Sequence, residues 1–170
     1  MNRTTQLKAA AVFAMAMLFS AFTFAQTKPI ASPRDSVSAK IGAATISINY
    51  GSPSVKGRKI YGELVPYNKV WRAGANAATV FSTSKDIVVA GKKLSAGTYS
   101  LYAIPTPTTW TIIFNKVAKQ WGTQYDEAQD ALRVTVKPVK SAMNEHLVYK
   151  INAKGFSLNW DTISVPVSVK

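Results

Sequence analysis

The densest run of chemically capable side chains lies between Tyr50 and Thr79, which reads YGSPSVKGRKIYGELVPYNKVWRAGANAAT. Four glycines, two prolines, three tyrosines, one tryptophan and five basic residues share these thirty positions. That is too long and too mixed for a simple hairpin connection, and long ordered loops on a rigid sheet often carry binding function. Arg58 and Arg72 offer planar forks that suit a carboxylate or phosphate, and Lys56 adds a point charge. Tyr61, Trp71 and, further along, Trp121 supply flat faces for a sugar or ring. Asn76 and Asn115 supply orienting amides. These eight residues form the candidate ligand-binding set, and the ligand they suit is anionic or carbohydrate-like. The same segment also has a plainer reading, in which Tyr61, Leu64, Val65, Tyr67, Val70 and Trp71 cap an open end of the fold while Lys56, Arg58 and Arg72 are merely solvated.

Catalytic and metal chemistry find less support. The chain has one histidine, His146, and no cysteine. A zinc site gathers three or four His, Cys or carboxylate ligands, so no metal site and no cofactor are expected. His146 follows Glu145 at the start of an expected strand and reads as a surface residue. There is no G-x-S-x-G elbow for a serine nucleophile. Asp126, Glu127 and Asp130 form the one acidic cluster, and their spacing lacks the alternating ligands and central glycine of a calcium loop. The preferred reading is a non-catalytic binding protein; the alternatives are a structural or scaffold protein of the envelope and an uncharacterised hydrolase.

The elements that must position these side chains are strands. From Thr45 onward the dominant period is two: Ile46, Ile48 and Tyr50 share one face, and Ser47 and Asn49 the other. Further strands are predicted at 78–83, 87–90, 98–104, 110–115, 131–137, 146–152, 156–160 and 162–169. Glycine breaks at Ala90-Gly91-Lys92, Ala96-Gly97 and Lys154-Gly155, together with Pro105-Thr106-Pro107-Thr108, divide them. The alternation nominates Tyr99, Leu101, Trp110, Ile112, Phe114, Leu132, Val134, Val136, Leu147, Tyr149 and Ile151 as core. Pro166 cannot donate a ladder hydrogen bond, so the last strand is expected at an edge. Tyr125 to Gln129 is the one candidate helical turn. The expected fold is all-β, an antiparallel sandwich or flattened barrel of about eight to ten strands with one long ordered loop region.

Arg3 and Lys8 precede an apolar run from Ala9 to Phe24, broken only by Ser20 and Thr23, and small residues close it at Ala25. This succession predicts a signal peptide over 1–25, cleaved near Ala25, and a protein of the periplasm or the medium with no stable membrane span after processing. The run falls short of the ~20 residues that cross a bilayer. Residues 26–40, with two prolines and three serines, read as a flexible leader, and 41–170 as a single β domain. Of the 21 basic residues two fall in the signal, which leaves 19 against eight acids, a formal +11. That favours anionic partners by long-range attraction. Nucleic acid is not expected, because the lysines are dispersed and no nucleic-acid-binding motif accompanies them.

Several blocks also carry a resemblance. SPSVKGRKIYG, LVPYNKVWRAGANAAT, GKKLSAGTYSLYAIP, WTIIFNK, QWG and LRVTVKP, running in that order from about Ile48 to Pro138, resemble the bacterial exported family catalogued as domain of unknown function 2911. The resemblance implies a β-rich envelope or secreted protein, found largely in Bacteroidetes, and brings no activity with it. The family pattern commonly has an acidic residue after the Asn of G-A-N-x-A-T, where this chain has Ala77, so no carboxylate chemistry is implied there.

Overall fold

The structure, a computed structural model, describes residues 31–170. The signal-peptide reading of residues 1–25 lies outside the described residues. Ten strands follow in chain order: β1 (Arg34–Ile41), β2 (Ala44–Gly51), β3 (Thr79–Thr83), β4 (Ile87–Val89), β5 (Lys92–Leu94), β6 (Gly97–Pro105), β7 (Trp110–Asn115), β8 (Asp130–Val136), β9 (Val139–Asn152) and β10 (Gly155–Ser168). Among the described residues the one helical element is a 3-10 turn at Glu127–Gln129, capped by the Asp126 side chain, which accepts from the Ala128 N–H. Among the described residues no helix is long and apolar enough to cross a membrane.

Six strands make one antiparallel sheet in the order β1-β2-β3-β6-β7-β8. The β6–β7 hairpin turns where Pro105 to Thr108 predicts it. There Thr106 Oγ1 donates to Thr109 O at 2.7 Å and accepts from the Thr109 N–H at 3.0 Å. Period-two alternation decides which face is buried: Ile46, Ile48 and Tyr50 of β2, and Trp110, Ile112 and Phe114 of β7, all point into the core. Every nominated core residue packs there, with Leu132, Val136 and Ile151 only partly covered. On the opposite face, Ala78, Tyr102 and Ile113 form a second buried cluster with Ile104 and Tyr125 packed on it.

The second layer contains the β9–β10 and β4–β5 pairs. The loop after β2 joins β9 through Val55 N–H to Glu145 O and Leu147 N–H to Pro53 O. Phe81 of β3 meets Phe114 at 5.0 Å and Phe156 of β10 at 5.5 Å, so the two layers close on one aromatic core. The result is a sandwich and not a closed barrel.

Three expectations need correction. Composition predicts a flexible leader over 26–40, but within it Arg34–Lys40 belongs to strand β1, paired in register with β2 from Arg34↔Gly51 to Ile41↔Ala44. A strand at a sheet edge needs only one sparse apolar row, and Val37, Ala39 and Ile41 provide it between serines and lysine. Lys92, read as part of a break, opens the short strand β5. The last strand is not a free edge along its whole length: the Ala90 N–H donates to Ser168 O and the Val88 N–H to Lys170 O, just beyond Pro166.

Burial sets the alkaline limit of this core. Tyr50, donating to Asp35 at 2.9 Å, and Tyr125, donating to Asp130 at 2.7 Å, both have their pKa pushed from 10.0 up to about 12, chiefly by burial and then by these hydrogen bonds. A pKa raised on folding means stability that is intact below the unfolded value and lost as pH rises through the folded one. Urea midpoints are therefore expected to hold steady to about pH 10 and to fall between 10 and 12; a midpoint flat to pH 12 would contradict the burial of these phenols.

Candidate functional site

The long segment between Gly51 and Thr79 lies against a corner of β10. That corner is Asp161, whose φ of 54° folds the strand back, so that Ser164 Oγ donates to Asn159 Oδ1 at 2.7 Å and the Val169 N–H reaches Lys154 O at 3.0 Å. The residue just before the corner is Trp160, 1% exposed. Between them is a cavity of about 320 Å3, bordered by Arg58, Leu64, Trp71, Arg72, Asn76 and Trp160 among others.

Each wall is fixed by a specific contact. Arg58 Nε donates to Val55 O at 3.1 Å and its Nη2 to Ser54 O at 2.6 Å, which holds the guanidinium against its own turn. Trp71 exchanges two 2.8 Å backbone hydrogen bonds with Ala103 of β6. Its indole stacks on Trp160 at 5.9 Å and 18°. Arg72 runs over Gly122: a Cβ there would lie 2.1 Å from Arg72 Cδ and 2.6 Å from Asn76 O, so only glycine allows the QWG block to pass. That block is a backbone strap, with the Gly122 N–H on Asn76 O at 3.2 Å and the Ala78 N–H on Gln120 O at 3.1 Å.

Left-handed backbone clusters along this wall, at Lys56 (φ 48°), Asn68 (59°), Ala73 (48°) and Asn76 (64°). Asparagine tolerates that region, but alanine rarely enters it. Ala73 is held in place because its carbonyl accepts from Tyr149 Oη at 2.8 Å and from Thr79 Oγ1 at 3.0 Å.

The electrostatics of the lining are one-sided. No Asp or Glu borders the cavity, and neither Arg58 nor Arg72 has a carboxylate partner among the described residues. Arg72 Nε and Trp160 Nε1 are buried donors without a hydrogen-bond partner, and so is Tyr61 Oη behind them. A buried polar group left unmade costs about 1–3 kcal/mol, so three together in one region are unusual.

Of the eight sequence-predicted residues, Arg58, Trp71, Arg72 and Asn76 converge on the cavity. Tyr61 is not in its lining: it packs edge-on against Trp110 at 5.1 Å and Trp160 at 6.3 Å, and burial pushes its phenol well up. Lys56 points to solvent, and only its backbone N–H is engaged, by Glu145 Oε1. Asn115 is a buried loop clasp: its amide donates to Asp126 O and Asp130 Oδ1, both at 2.8 Å, and its oxygen accepts from Val117. Trp121 borders a separate groove. Sequence reasoning missed Trp160, which ends a predicted strand like any core aromatic; the aspartate after it, dividing two strand predictions, was the available signal.

His146 is exposed and its Nδ1 lies 3.0 Å from Ser54 Oγ, and among the described residues no group of three or more His, Cys, Asp or Glu side chains could hold a metal ion. Neither the curated proteins nor the solved structures give a match. Residues 32–169 match the family model described as Protein of unknown function (DUF2911). That span contains both walls of the cavity, the glycine-backed strap and the β10 corner, and the chain belongs to this family.

Proposed function

We propose that the protein is an exported, non-catalytic binding protein whose cavity takes an anionic ligand of the cell envelope, a phosphate or carboxylate carried on a sugar-like ring. One observation carries this reading: a cavity of about 320 Å3 bordered by the two arginines Arg58 and Arg72, with no Asp or Glu in its lining and with the unpartnered buried donors Arg72 Nε and Trp160 Nε1 on residues of its wall. Such a lining is complementary to an acceptor-rich group and offers no carboxylate to repel it. Trp71 and Leu64 supply apolar surface beside the charge, which suits the ring. The formal +11 expected after loss of residues 1–25 would draw such a ligand in from a distance.

Calorimetric and thermal-shift screens of phosphorylated sugars and acidic peptidoglycan fragments test the reading. Arg72→Ala is expected to cost about 1.5–3 kcal/mol of binding, the range for a hydrogen bond to a charged group. Arg58→Ala should weaken binding similarly, with a lower melting temperature as well, because it also releases Ser54 and Val55. Binding that survives both substitutions would place the site elsewhere, and a screen empty of anionic ligands would favour the scaffold reading.

Export has its own check. Intact mass of the protein recovered from outside the cytoplasm should correspond to a chain starting at Gln26, in open or cyclised form. A chain still starting at Met1 and released only by detergent would refute cleavage.

A further inference from the structure

We propose a second ligand site, separate from the cavity, in which Trp121 is a stacking platform for a uronic-acid ring of an acidic polysaccharide. The site is a groove of about 400 Å3 bordered by Arg34, Ala77, Ala118, Lys119 and Trp121. Trp121 is 54% exposed, while Trp110 and Trp160 are almost wholly buried.

The exposure of Trp121 is built by its surroundings. The strap fixes the backbone on both sides of it, through Gln120 O and the Gly122 N–H. The Trp121 N–H donates to Gln124 Oε1 at 3.3 Å, and Trp121 O accepts from the Gln124 N–H at 2.9 Å. Gln120, its neighbour, turns inward and donates to Tyr102 Oη at 2.9 Å. A tight, tied turn therefore presents the indole outward, although covering it would gain hydrophobic stabilisation.

What faces the indole decides the ligand. Besides Trp121 and the two cations, the lining is Ala77, Ala78, Ala118 and Val80, small or apolar side chains, together with Gln120, whose amide is already engaged by Tyr102 Oη. Arg34 and Lys119 border the groove, and no acidic residue lines it. Arg34 is held by Asn49, whose backbone oxygen accepts from Nη2 at 3.2 Å and whose Oδ1 accepts from the same nitrogen. A pyranose ring has an apolar C–H face for the indole, and a uronic acid adds one carboxylate per ring for the cations. A neutral sugar would use the platform and leave both cations idle; a bare phosphate would use the cations and leave the platform idle. The acidic sugar ring uses both.

The test is a tryptophan-fluorescence and calorimetric titration with hexagalacturonate, and with a neutral hexasaccharide as the comparison. Expected results are saturable binding of the acidic hexamer, a loss of about tenfold or more in Trp121→Ala, and near-wild-type binding in Trp121→Phe, which keeps a ring face. Lys119→Ala should weaken binding at low salt and much less at high salt, as screening predicts. Lys150→Ala removes an exposed cation that borders neither the groove nor the cavity, and it should bind hexagalacturonate as the wild type does, which separates a site at Trp121 from a general effect of positive charge. Trp121 is on the surface, so its variants should melt with the wild type. Unchanged affinity in Trp121→Ala, equal affinity for the neutral hexamer, or an equal loss of binding in Lys150→Ala would each overturn the proposal, as would no binding at millimolar hexamer.

Discussion

Trp160→Ala is expected to lower stability by about 3–5 kcal/mol, the range for deleting a buried tryptophan, and to abolish binding in the cavity. The residue is 1% exposed, stacks on Trp71 and meets Tyr61 edge-on, so its removal opens a void lined by both of those rings. Trp160→Phe separates packing from polarity. It keeps part of the stacking surface and deletes an N–H that has no partner, so the relief of an unsatisfied donor offsets some of the lost area. Stability of Trp160→Phe should therefore fall by less than half as much as in Trp160→Ala. A fall in its ligand affinity beyond that of Trp71→Phe would place Nε1 among the groups that meet the proposed ligand. Equal urea midpoints for wild type and Trp160→Ala would refute the packing account, and wild-type affinity in Trp160→Phe would remove Nε1 from the site.

Gly51→Ala is the second large effect, and its origin is steric. A Cβ at Gly51 would lie 2.2 Å from Ala75 O and 2.9 Å from Ala75 C. Those are backbone atoms, so no side chain can swing away to make room. The two residues are already tied, with the Ala75 N–H on Gly51 O at 3.2 Å. The added methyl must push the Arg72–Asn76 wall off the end of β2, at about 1–3 kcal/mol by analogy with overpacked cores. Thermal melts of Gly51→Ala should show that loss, and binding in the cavity should weaken because Arg72 and Asn76 move with Ala75. Gly42→Ala is the comparison: nothing lies within 4 Å of its Cβ, and the only cost is its left-handed φ of 57°. If Gly51→Ala melts no lower than Gly42→Ala, the close approach is not real.

The sandwich was legible because its strands alternate cleanly. ATISIN at 44–49 declares one buried row, WTIIFN at 110–115 carries another in Trp110, Ile112 and Phe114 with Ile113 buried on the opposite face, and most turns between strands announce themselves by glycine or proline. β1 escaped because RDSVSAKI has the composition of a linker; what makes it a strand is the exposed edge of β2, which no local pattern encodes. Half of the candidate ligand set converged for a related reason. Arg58, Trp71, Arg72 and Asn76 lie in one segment, so sequence proximity nominated them together. Asn115 and Trp121 were nominated by residue type alone, and type does not distinguish a buried loop clasp from a ligand amide. Trp160 was missed because its role comes from a fold-back at Asp161, and an aspartate in left-handed conformation looks, in sequence, like any polar break.

The stacking of Trp71 on Trp160 also sets an order of events in time. These two indoles are separated by most of the domain, and closing so long a loop before its contacts reward it is entropically slow. When the chain becomes available for folding from its N-terminal end, β2 and β3 can pair and the strap can form while the β10 corner is still unmade. During that interval Trp71 and its neighbours stand as an unfinished hydrophobic wall. Completion of the cavity is thus a late step of folding, and the rate at which the C-terminal hairpin docks governs how long that wall is open to chaperones, proteases or another copy of the chain.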